Sequence, residues 1–115
     1  MNDVAPIATY YSRTFLNDEG VTGMAAVVAG IQPGDQSDEY LDFGATLEIS
    51  EDGRGVSFDF GVYGATGSPV QREELRAELV NARNKAHRLQ AEINAFVASL
   101  TDALDTVEND LIDKD

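Results

Sequence analysis

The chain has 115 residues, 43% hydrophobic and 25% charged, the composition of one globular domain, which excludes a wholly disordered or low-complexity polypeptide. It has no cysteine, so disulfides, thiolate metal sites and cysteine nucleophiles are excluded. Eight Lys and Arg against twenty-one Asp and Glu leave a net charge of −13, a field that repels nucleic acid and anionic membrane surfaces.

The sequence has no run of the ~18 apolar residues that a membrane helix needs, and its start lacks the basic and apolar segments of a signal peptide. A soluble, cytoplasmic protein is expected. Residues 1–6 read as a lead-in, and 7–15 as a first strand rich in Tyr and Thr. After turn chemistry at 16–20, the small and β-branched residues of 21–31 predict a second strand, and 32–38 a loop with a Pro-Gly turn signal.

The clearest alternation follows. Leu41, Phe43, Ala45, Leu47 and Ile49 fall on one face, with Tyr40, Asp42, Gly44, Thr46 and Glu48 on the other. Beyond the turn at 51–55, Val56, Phe58, Phe60 and Val62 point inward, and Ser57, Asp59, Gly61 and Tyr63 outward, so strands three and four form a hairpin. One face is expected to be buried and the other wet.

Ser68-Pro69-Val70-Gln71 is a capping-box pattern, and no Gly or Pro follows from 70 to 115. A helix of about forty residues, ~60 Å long, is predicted, with Glu73 and Glu74 suited to its positive end. Its apolar residues Leu75, Leu79, Ala82, Ala86, Leu89, Ile93, Phe96, Leu100, Ala103 and Val107 keep a coiled-coil-like 4-3 spacing, which drifts near residue 110. The expected fold class is therefore α+β: a four-stranded antiparallel β-meander over 1–67, then a long amphipathic C-terminal helix or helical hairpin over 68–115, as one structural unit.

A four-stranded sheet of ~30 Å covers about half of that stripe. Leu89, Ile93, Phe96, Leu100, Leu104 and Val107 are left as a predicted oligomer interface, unless the helix folds back near 98–102. Charge is segregated: −9 over 1–70, +2 over 71–88 and −6 over 89–115. An antiparallel helix pair sets the bases against the acidic end, so a homo-oligomer of that geometry is expected.

Catalytic candidates are few. The lone histidine, His87, lies among bases and is read as structural or solvated, and metal sites needing two His, or His and Cys, cannot form within one chain. The acidic turns at 18–20 and 51–53 lack calcium-loop spacing. Asp42, Glu48 and Asp59 share a face, but a wet one without catalytic poise. No enzyme, cofactor or metal is expected. Gly61, Gly64 and Gly67 precede the helix without matching a phosphate-binding fingerprint.

The function expected first is a non-catalytic inhibitor or adaptor that docks on a basic, nucleic-acid-handling protein surface without binding nucleic acid or membrane itself. Asp35, Asp38, Glu39, Asp42, Glu48, Glu51, Asp52 and Asp59 are the partner-binding candidates. Outward carboxylates two residues apart on a strand would repeat at ~6.8 Å, about twice the charge spacing of one DNA strand, which is the route to nucleic-acid mimicry. Small acidic phage-encoded anti-defence proteins work in this way; the likeness is one of size and charge alone. The alternatives are an oligomer that sequesters a nucleotide-like anion through Arg72, Arg83, Lys85 and Arg88, and a structural assembly protein.

Overall fold

The computed structural model describes residues 8–34 and 39–112. Five strands, β1 (Tyr10–Phe15), β2 (Ala25–Pro33), β3 (Tyr40–Glu51), β4 (Arg54–Asp59) and β5 (Val62–Ala65), precede one helix, α1 (Pro69–Val107), which runs into a π-helical turn at Glu108–Ile112. The strands form one antiparallel sheet in the order β1-β2-β3-β4, with β5 also on β3. The fold is α+β, as the alternation and the cap predict.

The first strand begins at Tyr10, and residue 7 of the expected strand lies outside the described residues. The turn expected over 16–20 extends to residue 24, which delays β2 to Ala25. Asn17 Nδ2 donates to Gly23 O at 3.0 Å, and Gly23 holds φ +101°, a conformation that interrupts a strand. At its other end β2 outlasts the expected 31 and takes in Gln32 and Pro33, paired opposite Gly44 and Phe43. Proline is tolerated there because it terminates the ladder.

The fourth expected strand is present in two pieces with one register. Thr46 faces Asp59 and Phe43 faces Val62, so no residue is gained or lost across the break. Phe60 N–H still donates to Ala45 O at 2.8 Å, whereas Gly61 N–H turns to Asp59 Oδ1 at 2.7 Å. A Cβ at Gly61 would stand 2.8 Å from Phe43 O, so the break requires glycine.

The two faces of the sheet follow from the register. Val27, Ile49 and Val56 line up across three strands on one side, as do Ala29, Leu47 and Phe58. This apolar side is only half-buried, contrary to the expectation of a closed core. Among the described residues the buried apolar ones are Ala25, Ala26, Ala45, Val62 and Leu75, four of them small or short, and Val56 is exposed.

Ser68 caps α1, its Oγ accepting Gln71 N–H at 3.2 Å. The helix is unbroken for 39 residues, so the fold-back expected near 98–102 does not occur: nothing in that stretch interrupts the backbone ladder. Glu73 and Glu74 lie beyond the first turn, where the dipole has little hold on them. Leu75 is the buried residue of α1, and it meets the sheet at Gly64, where a Cβ would come within 2.9 Å of Leu75 Cδ1. By its contacts the chain divides into two compact units, Met1–Arg83 and Asn84–Asp115. The first holds the sheet with the capped start of α1, and the second is helical through Ile112.

Leu75→Ala is expected to destabilise the first unit by about 2–5 kcal/mol, the range for truncating a buried leucine. Gly61→Ala is expected to cost about 1–3 kcal/mol through the collision with Phe43 O. Urea denaturation of both variants against the parent chain measures each value.

Candidate functional site

The second side of the sheet carries the polar candidates. Arg13, Val28, Glu48 and Ser57 form one row across β1 to β4, and Tyr11, Gly30, Thr46 and Asp59 form the next. Asp42 faces Tyr63 further along the same side. The expected sharing of a face by Asp42, Glu48 and Asp59 is therefore built into the hydrogen-bond register.

The spacing differs from the expected repeat. Asp42 and Glu48 are six residues apart on β3, or ~20 Å, with Gly44 and Thr46 between them. Asp59, opposite Thr46, is diagonal to Glu48, a placement that brings Cα atoms to ~7–8 Å. The face thus carries one close carboxylate pair and a distant third in place of a continuous ~6.8 Å array. Ser57 Oγ donates to Glu48 Oε2 at 3.3 Å, and Asp59 Oδ1 accepts Gly61 N–H.

The remaining acidic candidates are dispersed. Asp35 and Asp38 lie outside the described residues. Glu39 precedes β3, and Glu51 ends it, paired opposite Arg54 and, by alternation, on the apolar side. Asp52 serves the fold: its Oδ1 accepts Met24 N–H at 2.9 Å while its own N–H donates to Met24 O at 2.7 Å, which ties the β3–β4 turn to the start of β2.

Aromatic side chains, absent from the expected site, share this face. Tyr11 is 68% exposed, Phe15 61% and Tyr63 67%. Tyr63 stacks against Tyr40 with ring centroids 5.8 Å apart, and Arg13 lies over the Phe15 ring at 5.2 Å. The sequence held the signal, since strand alternation already places Tyr40 and Tyr63 on the wet side, where a large aromatic gains nothing from the protein's own core.

The basic candidates do not form a single cluster. Arg72 Nη1 donates to Thr66 O at 2.9 Å, so this guanidinium braces the loop before α1. Arg83 ends the first compact unit, and Lys85 and Arg88 belong to the second; all three are exposed. Of the recurrent glycines, Gly61 is required by Phe43 O and Gly64 by Leu75, so both have packing reasons. Among the described residues no three His, Asp or Glu side chains gather as a metal site, and His87 is exposed.

In the expected oligomer interface Leu89 is half-buried, while Ile93, Phe96, Leu100, Leu104 and Val107 are exposed, Phe96 by 63%. Val97 and Leu111, also exposed, widen the stripe. Each large apolar side chain moved from water into full contact contributes about 1.5–3 kcal/mol. No helix among the described residues is long and apolar enough to cross a membrane. Comparison with protein-family models, curated proteins and solved structures finds no match to this chain.

Asp52→Ala is expected to lower stability by about 1–3 kcal/mol, because it leaves Met24 N–H without its acceptor and places alanine at φ +49°. Glu48→Gln, on the exposed face, is expected to stay within about 0.5 kcal/mol of the parent. Thermal denaturation of the two variants separates the structural carboxylate from the one available for binding.

Proposed function

We infer that this is a non-catalytic acidic binding protein, an inhibitor or adaptor that docks on a basic protein surface through the outward face of its sheet. The carrying observation is the register that places Asp42, Glu48 and Asp59 on one side of the sheet beside exposed Tyr11, Phe15 and Tyr63. Carboxylates steer and orient a basic partner, and exposed aromatics supply the contact area characteristic of protein interfaces. A partner's Lys or Arg set between the diagonal Glu48 and Asp59 would meet both carboxylates at once.

The mixed character of the face favours a basic protein over imitation of a phosphate backbone, because the carboxylates do not repeat at regular short intervals and aromatics interrupt them. The overall charge of −13 disfavours direct contact with nucleic acid or an anionic membrane. The nucleotide-sequestering alternative draws no support from Arg72, which is engaged with Thr66 O.

The test is affinity capture from a host lysate with the parent chain and with the double variant Asp42→Asn, Glu48→Gln as baits, followed by mass spectrometry. A partner with a basic surface is expected on the parent bait, reduced by at least about tenfold on the variant and released at about 1 M salt, where the screening length falls to ~3 Å. A partner held equally by both baits, or retained in that salt, overturns the reading.

A further inference from the structure

We propose that the helical unit Asn84–Asp115 is a self-complementary surface whose occupant is a second copy of this chain, laid antiparallel across a two-fold axis between Phe96 and Val97. The apolar residues are arranged symmetrically about that point along the sequence. Ile93 and Leu100 are equidistant from it, as are Leu89 and Leu104, and so are Ala86 and Val107. Two such helices laid head to tail bring Leu89, Ile93 and Phe96 level with Leu104, Leu100 and Val97, and the small Ala86 level with Val107. Matched layers of this kind allow an apolar seam to close without voids.

The charges obey the same symmetry with opposite sign. Arg88 stands as far before the midpoint as Asp105 stands after it, and Lys85 as far before as Glu108. The pairing that aligns the apolar layers therefore sets each basic turn level with the acidic end of the other copy. A parallel pair would set base level with base and acid level with acid along its whole length. Charge complementarity thus selects both the occupant and its direction, and apolar burial supplies the affinity. The exposure of Phe96, Val97, Leu100 and Leu104 in the single chain fits a surface reserved for this contact. The inference is independent of the sheet face assigned to a basic partner, since its residues all lie within the second unit.

The absence of cysteine allows a direct test with the full chain. Light scattering at about 100 µM, where a micromolar pair is largely formed, is expected to give twice the chain mass or a multiple of it, and Phe96→Glu with Leu100→Glu to give the single-chain mass. Oxidation of a mixture of the Leu89→Cys and Leu104→Cys variants is expected to link one variant to the other, with each variant alone remaining uncrosslinked. An unchanged far-UV spectrum of the Phe96→Glu, Leu100→Glu variant under native conditions shows that loss of assembly is not loss of fold, while its denaturation midpoint is expected to fall because the parent is stabilised by assembly. A single-chain mass for the parent overturns the proposal, whether another protein or only solvent covers the stripe. Efficient linking of Leu89→Cys to itself overturns the antiparallel arrangement.

Discussion

Leu75 against Gly64 is the contact on which the rest of this structure depends. Gly64 of β5 lacks a side chain where Leu75 reaches the sheet, and the leucine side chain occupies that space, which holds the start of the helix to the end of the hairpin. The Ser68 cap and the Arg72 brace on Thr66 O hold the approach to it. The consequence is a small core. Among the described residues its buried apolar members are Ala25, Ala26, Ala45, Val62 and Leu75, and the wider apolar side of the sheet is only half-buried.

A chain with so little interior has large surfaces left for other uses. On the sheet, the outward side combines a diagonal pair of carboxylates with exposed tyrosine and phenylalanine, the combination from which a basic protein partner is proposed. On the helical unit, the apolar positions are symmetric about the stripe's midpoint, and charged residues stand at mirrored positions with opposite sign. The two surfaces differ in chemistry and in position along the chain, so the proposed partner binding and the proposed self-assembly rest on different residues.

Much of this was legible in sequence. The hairpin alternation gave the two faces of β3 and β4, and Ser68 with Pro69 marked the first turn of α1 to the residue. Other features depended on interactions distant in sequence. Asp52 reads as a turn acid, and its bond to Met24 across the sheet could not be inferred from its neighbours. Gly61 reads as one more strand position, yet the carbonyl of Phe43 on the neighbouring strand makes it the site of a break. Alternation alone placed Asp42, Glu48 and Asp59 on one face, but the diagonal closeness of Glu48 and Asp59 was not legible, because register decides which of them become neighbours.

What the sequence determined by itself was periodicity: a two-residue repeat through the sheet, a coiled-coil-like 4-3 repeat through the helix, and a charge segregated along both. These are local properties, dictated by backbone geometry and the chemistry of adjacent side chains. Tertiary structure alone decided that Leu75 is the point of burial of α1, that Asp52 belongs to the scaffold, and that Glu48 and Asp59 stand as a diagonal pair. Each of those outcomes rests on pairing between segments far apart in the chain, where the free energy of contact, and not local propensity, selects among arrangements the sequence permits equally.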